Sequence, residues 1–113
     1  MSHSKIPKSF KLFATDITIE WDNKRMNDKQ NYGESDYSTS KITLSHTNGV
    51  EVLSEGKILD TFYHEKVHMI LDTMNERELS KNEKFVDVFS KLWRQADETA
   101  VFETTSQQTG NAG

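Results

Sequence analysis

The stretch Thr61-Phe62-Tyr63-His64-Glu65-Lys66-Val67-His68 decides how this chain folds, because it lies inside the first long helical pattern of the sequence. Around it, apolar side chains recur every three or four residues, which is the spacing of one face of an α-helix. They are Ile58, Leu59, Phe62, Tyr63, Val67, Ile70, Leu71 and Met74. Ser54 is a plausible N-cap, so the pattern predicts a helix over residues 54–75.

A second helical pattern begins near Ser80. The segment Ser80-Lys81-Asn82-Glu83 fits a capping box, in which a hydroxyl residue is followed three positions later by Glu. The predicted apolar face of this helix consists of Phe85, Val88, Phe89, Leu92, Trp93, Ala96 and Ala100. The link over residues 76–79 is short, so we expect the two helices to be antiparallel neighbours.

The first half of the chain has two segments with strand character. Residues 9–21 form the first segment, with apolar side chains on one face and a bulge or bend predicted at Asp16. Residues 37–46 form the second segment, and the polar residues 22–36 between them predict a long loop. In the first segment Phe13, Ile17, Ile19 and Trp21 share one face, and in the second Ile42 and Leu44 lie on the inward face.

Together these elements predict one α+β domain, a small antiparallel β-sheet packed on two antiparallel helices. A two-stranded sheet is marginal alone, so it has to pack on the helices. The domain is expected to span residues 9–103, after a flexible N-terminus over residues 1–8 and before a disordered tail over residues 104–113. A chain of 113 residues has room for one such domain.

Composition excludes several kinds of site and partner. The chain has no cysteine, which excludes disulfides, thiol nucleophiles and cysteine-bound metals and fits a cytoplasmic protein. No apolar run approaches the ~20 residues that cross a bilayer. The formal net charge is −4, the acidic excess lies in the second half, and there is no basic stripe. We therefore expect neither a membrane nor a nucleic acid as a partner.

The central stretch contains the pattern His-Glu-x-x-His, at His64, Glu65 and His68. Helical residues four positions apart are offset by about 40°, so both imidazoles project from one face within reach of one metal ion. Glu65 is offset to the side, where a carboxylate acts on a water beside the metal without being a ligand. The spacing therefore predicts a metal site with a neighbouring general base.

A tetrahedral catalytic zinc site usually has a third protein ligand, which in a cysteine-free chain is a His or a carboxylate. The residues alone leave this choice open among His3, His46, Glu83, Glu98 and Glu103. The first lies in the expected flexible N-terminus and the second ends a predicted strand. The three glutamates belong to the second helical region.

The segment Asn82-Glu83-Lys84-Phe85-Val86-Asp87 resembles the NExxSD element of the gluzincin metallopeptidases, the thermolysin-like group. In that group a helix supplies a Glu ligand, and an Asp four residues later, here Asp87, orients the first ligand histidine. Val86 stands where the family pattern has Ser, which leaves the Glu/Asp spacing intact. The resemblance implies a Zn²⁺ site made of His64, His68 and Glu83.

Residues 32–95 also resemble small zincin-like proteins encoded by bacteriophages. The similar pieces are YGESDY at residues 32–37, KITL at 41–44, TFYHEKVH at 61–68 and NEKFVD at 82–87. The resemblance implies a zincin-like metalloprotease core and little about the substrate. The segment Glu98-Thr99-Ala100-Val101-Phe102 resembles the second-helix Glu of regulatory peptidases that cleave phage repressors, which keeps Glu98 as the main competing ligand.

The resulting hypothesis is a zinc metallopeptidase in which Glu65 is the general base that activates a water. Its partner would be a peptide or protein substrate that pairs with the exposed edge of the second strand, residues 38–45. The oxyanion-stabilising residue stays open among Tyr32, Tyr37 and Tyr63, and the last of these is expected to pack in the core. The alternatives are a zinc-stabilised interaction or regulatory protein without catalysis, and a metal-free interaction module.

Overall fold

The structure is a computed structural model, and it describes residues 5–103. Its elements in chain order are β1 (Ser9–Leu12), β2 (Thr15–Trp21), α1 (Asn23–Asp28), β3 (Gly33–Asp36), β4 (Lys41–Leu44), α2 (Glu55–Thr73), α3 (Arg77–Ser80) and α4 (Glu83–Thr99). The predicted disordered tail lies outside the described residues, as do residues 1–4 of the predicted flexible N-terminus. Just before β1, Ile6 packs against the apolar core.

The four strands form one mixed sheet in the order β1-β2-β4-β3. The pairs β1/β2 and β3/β4 are antiparallel, whereas β2 and β4 run parallel. The predicted α+β class is confirmed, but the prediction of a purely antiparallel sheet is wrong. The connection from β2 to β4 passes through α1 and β3, and a connection of that length lets the chain return in the same direction.

The single strand predicted over residues 9–21 is a hairpin in the structure. Phe13 adopts a left-handed φ of 54° and turns the chain between β1 and β2. The bend predicted at Asp16 is therefore misplaced, because this residue lies inside β2 and pairs with Lys11. The alternation of apolar and polar residues continues through this turn. The sequence pattern therefore did not indicate the turn.

The loop predicted over residues 22–36 contains two short elements, α1 and β3. The Asp22 carboxylate caps α1 by accepting a hydrogen bond from the Arg25 amide at 3.0 Å, and Met26 of that helix is fully buried. Elements this short have little intrinsic stability, so tertiary contacts decide whether they form.

Helix α2 lies between the sheet and α4. Toward the sheet it helps to form an apolar cluster of Ile17, Ile19, Ile42, Leu44, Phe62 and Met69. Toward α4 it contributes Val67 and Leu71, which pack against Val86. Its predicted N-cap is confirmed, since the Ser54 hydroxyl accepts a hydrogen bond from the Lys57 amide at 3.1 Å.

Helix α4 begins later than predicted. Its N-cap is Asn82, whose side chain accepts a hydrogen bond from the Phe85 amide at 3.1 Å, and the short α3 precedes it. The capping box predicted at Ser80 is therefore wrong. The side chains of α4 that are buried are Val86 and Ser90, and neither belongs to the predicted apolar face.

Most of that apolar face is turned outward. The exposed fractions are 48% for Val88, 47% for Phe89 and 58% for Leu92. Polar contacts with α2 hold the helix in this rotation. The Arg94 guanidinium donates a hydrogen bond to the Asp60 carboxylate at 2.8 Å. The Tyr63 hydroxyl donates one to the Asp97 carboxylate, also at 2.8 Å. None of the helices within residues 5–103 combines the length and apolar character that a membrane span requires.

Candidate metal centre

Helix α2 presents His64 and His68 toward the first turns of α4. Their ring centroids are 4.9 Å apart, with the ring planes at 65°. The two side chains are 24% and 15% exposed, respectively. Both imidazoles therefore lie at the edge of the core, held by packing on one side and reachable from solvent on the other.

The Glu83 carboxylate, in the first turn of α4, faces the Nε2 atoms of both histidines. The distance from His64 Nε2 to Oε1 is 3.2 Å, and that from His68 Nε2 to Oε2 is 3.4 Å. One ligand atom from each of the three residues lies within 4.8 Å of the others. In a tetrahedral zinc site with bonds of about 2.0–2.1 Å, neighbouring ligand atoms are about 3.3 Å apart. Two imidazoles and a carboxylate are ligand types that zinc uses, and these three lie close enough together to converge on one ion.

Ser80 holds the second ring nitrogen of His68. Its hydroxyl oxygen lies 3.1 Å from Nδ1, and the residue is 6% exposed. A hydrogen bond at the second nitrogen orients an imidazole, and when Nδ1–H donates to the hydroxyl oxygen, Nε2 is open to a metal. The sequence pattern predicts a helix cap at Ser80 and gives no indication of this role. No local signal reveals it, because the contact joins α3 to α2.

Asp87, one turn after Glu83, faces the second ring nitrogen of His64. The distance from Nδ1 to Oδ1 is 3.7 Å, which is an ion-pair distance and longer than a hydrogen bond. A hydrogen bond from Lys91 lowers the pKa of Asp87, which keeps it ionised. Burial lowers the pKa of His64, an effect that His68 strengthens and Glu83 opposes. The neutral imidazole is the form that binds a metal.

Glu65 lies beside this group, between α2 and strand β3. Burial raises its pKa to about 7, and the nearby charges of Glu83 and Glu34 add to the effect. Hydrogen bonds from the hydroxyl and backbone amide of Ser35 act in the opposite direction. A carboxyl group in this environment has a proton affinity close to that of a general base working near neutral pH. Nothing in the local sequence points to Ser35, because its contact with Glu65 joins β3 to α2.

A cleft of about 300 Å³ opens next to His64 and Glu65. Its lining is mainly polar and comes from α2, α4 and the segment before β3: Gln30, Asn31, Tyr32, Gly33, Lys57, Asp60, Thr61, His64, Glu65, Asp87 and Lys91. The acidic groups there have partners, since Asp60 pairs with Arg94. The Lys57 ammonium lies 4.4 Å from the centre of the Tyr32 ring.

Gly33 allows β3 to approach α2 closely at this cleft. A Cβ atom at this position would lie 2.6 Å from the Thr61 Cγ2 and 3.2 Å from the Leu44 Cδ2, distances too short for a normal contact. The strand therefore reaches the side of Glu65 only because residue 33 has no side chain. A glycine inside a segment of this kind is a sequence signal for such a close approach.

The other predicted ligands lie elsewhere. Within residues 5–103 the group around Glu83 includes none of His46, Glu98 and Glu103, and His3 lies outside the described residues. Glu98 instead accepts a hydrogen bond from Arg94 at 2.8 Å. His46 stacks on Trp21, with ring centroids 3.9 Å apart.

The three tyrosines considered for oxyanion stabilisation occupy different places. Tyr63 packs against the core as expected, and burial together with its hydrogen bond to Asp97 raises its pKa to about 12. Tyr37 lies under Arg77, whose guanidinium carbon is 5.0 Å from the ring centre. Tyr32 is the one that lines the cleft beside His64.

The strand edge predicted to receive a substrate is not an edge in the structure. Strand β4, which falls within predicted residues 38–45, is paired with β2 on one side and β3 on the other. The edge strand nearest this group is β3, which lies within the predicted loop. The edge of β4 is covered because β3, a strand that was not predicted, pairs with it.

The chain matches no model of a known protein family, and comparisons with curated proteins and with solved structures find no significant match. The metal site considered for His64, His68 and Glu83 is therefore supported only by the sequence and structure of this chain.

Proposed function

We propose that this protein is a zinc-dependent metallopeptidase. The observation that carries the proposal is the arrangement of His64, His68 and Glu83, which brings one ligand atom from each residue within 4.8 Å of the others. Three protein ligands leave one position open, which is typical of catalytic sites and not of structural ones. Zinc in such a site supplies Lewis-acid chemistry, polarising a carbonyl group and making a water more acidic.

The protein residues supply the proton transfers. Glu65, beside the ligands and the cleft, accepts a proton from the attacking water and later donates it to the leaving amine. Ser35 holds the Glu65 carboxylate through hydrogen bonds, which limits its rotation. Ser80 orients His68 and Asp87 faces His64, so both ligand imidazoles keep their Nε2 atoms toward the metal.

An extended peptide has two features to bind. The outer edge of β3 runs past Glu65. Apart from the Ser35 amide, which already bonds to Glu65, its backbone groups can pair with a peptide with little dependence on the peptide's sequence. The cleft of about 300 Å³ then receives a side chain next to the bond to be cut. A short domain with one such cleft is expected to have broad sequence preference.

The first test is metal content. Protein purified without added metal and then dialysed against excess zinc should retain about one zinc per chain. Glu83→Ala should lose it, whereas Glu98→Ala, a matched glutamate on the same helix, should keep it. A wild-type chain that binds no zinc would contradict the proposal.

The second test separates catalysis from metal binding. Glu65→Gln should retain zinc and the wild-type circular dichroism spectrum but reduce cleavage of a quenched fluorescent peptide library by at least about 100-fold. Turnover equal to the wild type in this variant would rule out Glu65 as the general base.

A second candidate function is supported by the fact that the three ligands come from two different helices. Because His64 and His68 belong to α2 and Glu83 to α4, a bound zinc also ties the two helices together. A non-catalytic, zinc-stabilised interaction protein would bind zinc in the same way and would show no turnover in either the wild type or Glu65→Gln.

A further inference from the structure

Helix α2 and strand β3 lie side by side along the cleft. At one end the Lys57 ammonium lies 4.4 Å from the centre of the Tyr32 ring, and at the other end Ser35 donates hydrogen bonds to Glu65. Gly33 makes the close approach between these two contacts. Eight residues of a helix span about 12 Å, and three residues of an extended strand span about 10 Å. The two elements therefore stay together over this length, and the cleft leads along α2 from the metal group toward Lys57.

Lys57 gives the cleft a positive charge that no carboxylate neutralises. The second lysine of the lining, Lys91, donates a hydrogen bond to Asp87 at 2.7 Å, and Asp60 accepts one from Arg94 at 2.8 Å. None of the ion pairs formed within residues 5–103 includes Lys57. Its ammonium lies over an aromatic ring, which attracts the charge but leaves the three N–H donors available to an anion.

We infer that Lys57 binds a carboxylate group of the peptide substrate, and that the protein therefore favours an acidic group about three or four residues from the bond that is cut. The inference rests on the proposed function, because it takes the peptide to extend from the metal group along β3. Lys57 precedes Glu65 by about 12 Å along the helix axis, and an extended peptide covers that distance in about three or four residues. At its other positions the peptide meets uncharged or already paired groups, so those positions stay permissive.

The carboxylate has two possible sources in a peptide. It belongs either to the side chain of Asp or Glu or to the free carboxyl end of the chain, and both present the same two acceptor oxygens to an ammonium. A side-chain carboxylate would make the protein an endopeptidase with one acidic position. A terminal carboxylate would make it an enzyme that releases short fragments from the carboxyl ends of chains.

The test compares rates of cleavage of quenched fluorescent peptide libraries by the zinc-loaded protein. Each library has amidated carboxyl ends and one position fixed as Glu, Gln or Lys, and mass spectrometry locates the cleaved bond. At the position that reaches Lys57, the wild type should cleave the Glu library about three- to fivefold faster than the Gln library, as expected for an exposed ion pair. The Lys library should be cleaved more slowly than either. Raising the ionic strength to about 0.5 M should reduce the preference.

A second pair of libraries contains no acidic residue and differs in having a free or an amidated carboxyl end. A faster cleavage of the free form that depends on Lys57 would identify the terminal carboxylate as the bound group. A preference found with the Glu library and absent from this pair would identify the side chain.

Variants at residue 57 test whether the preference arises there. Lys57→Gln should bring the ratio of Glu to Gln cleavage close to one, and Lys57→Glu should reverse the order, so that the Lys library is cleaved faster than the Glu library. Lys84→Gln removes the same charge from α4 outside the cleft and is the matched control, which should keep the wild-type ratio. Circular dichroism and zinc content, measured on every variant, verify that each one is folded.

Binding distinguishes failure of this inference from failure of the proposed function. Fluorescence anisotropy of labelled Glu and Gln peptides is measured with zinc-loaded Glu65→Gln, alone and combined with Lys57→Gln. A wild type that cleaves nothing, with tighter binding of the Glu peptides that is lost with Lys57→Gln, would refute the peptidase and retain the carboxylate site. Cleavage without any preference for a carboxylate, or a preference that survives Lys57→Gln, would overturn the inference and leave the peptidase in place. Absence of both cleavage and binding would overturn both.

Discussion

The two faces of α4 differ in a way that reverses the usual pattern. The face packed against α2 carries Glu83, Asp87 and Ser90 and only one fully buried aliphatic residue, Val86. The opposite face carries large apolar side chains and remains about half exposed. An amphipathic helix normally buries its apolar side. Here Glu83 and Asp87 face His64 of α2, while Val88, Phe89 and Leu92 face outward.

Specific polar contacts hold α4 against α2, in addition to the packing of Val86 on Val67 and Leu71. Arg94 bridges Asp60 and the Gly56 carbonyl, at 2.8 and 3.0 Å, and Asp97 accepts the Tyr63 hydroxyl. A zinc ion bound by Glu83 would add a strong tie at the other end of the helix. The following predictions test the contacts of the two faces, from the largest expected effect to the smallest.

Zinc should produce the largest change in stability, because it joins α4 to α2. At free zinc about 100 times the dissociation constant, the free energy of unfolding should rise by about 2.7 kcal/mol. For a domain of this size the melting temperature should rise by about 10–20 °C. Differential scanning calorimetry with zinc and with a chelator measures the shift. Glu83→Ala should remove it, and an equal shift in that variant would exclude Glu83 as a ligand.

Val86→Ala and Val88→Ala make the same chemical change on opposite faces. Val86 is fully buried against α2, so its truncation should cost about 2 kcal/mol. Val88 is 48% exposed, and its truncation should cost less than about 0.5 kcal/mol. Urea denaturation at low micromolar concentration compares the two. Equal losses of unfolding free energy in the two variants would mean that α4 does not bury Val86 in preference to Val88.

Ser80→Ala and Ser90→Ala compare two buried hydroxyls. Ser80 contacts His68 Nδ1, whereas the Ser90 hydroxyl donates to the Asp87 carbonyl of its own helix at 3.0 Å. Losing the first should lower zinc affinity about tenfold, because the imidazole is no longer oriented. Losing the second should leave zinc affinity within about twofold. Competition with a chromophoric chelator gives both values, and similar effects would remove Ser80 from the metal centre.

Tyr63→Phe tests the polar contact at the far end of α4. The change removes the hydroxyl that donates to Asp97 but keeps the ring against Trp93. The expected loss is about 1 kcal/mol of unfolding free energy with zinc content unchanged. Tyr32→Phe, at a partly exposed ring that lines the cleft, serves as the control and should change stability by less than about 0.5 kcal/mol.

Local patterns in the sequence were sufficient for the features that depend on a single helix. Ser54 caps α2 as predicted, and the four-residue spacing of His64 and His68 places both on one side of it, since helix geometry alone sets that relation. The two neighbouring helices and the α+β class also follow from periodicity and a short link.

Features that join distant segments depended on tertiary structure. Ser80 contacts His68 and Ser35 contacts Glu65, yet neither contact has a local pattern. The mixed sheet arises because a short helix and an extra strand form within a polar segment. The rotation of α4 was also beyond prediction. Periodicity shows that a helix has an apolar face, but the contacts of the whole fold decide whether that face is buried or exposed.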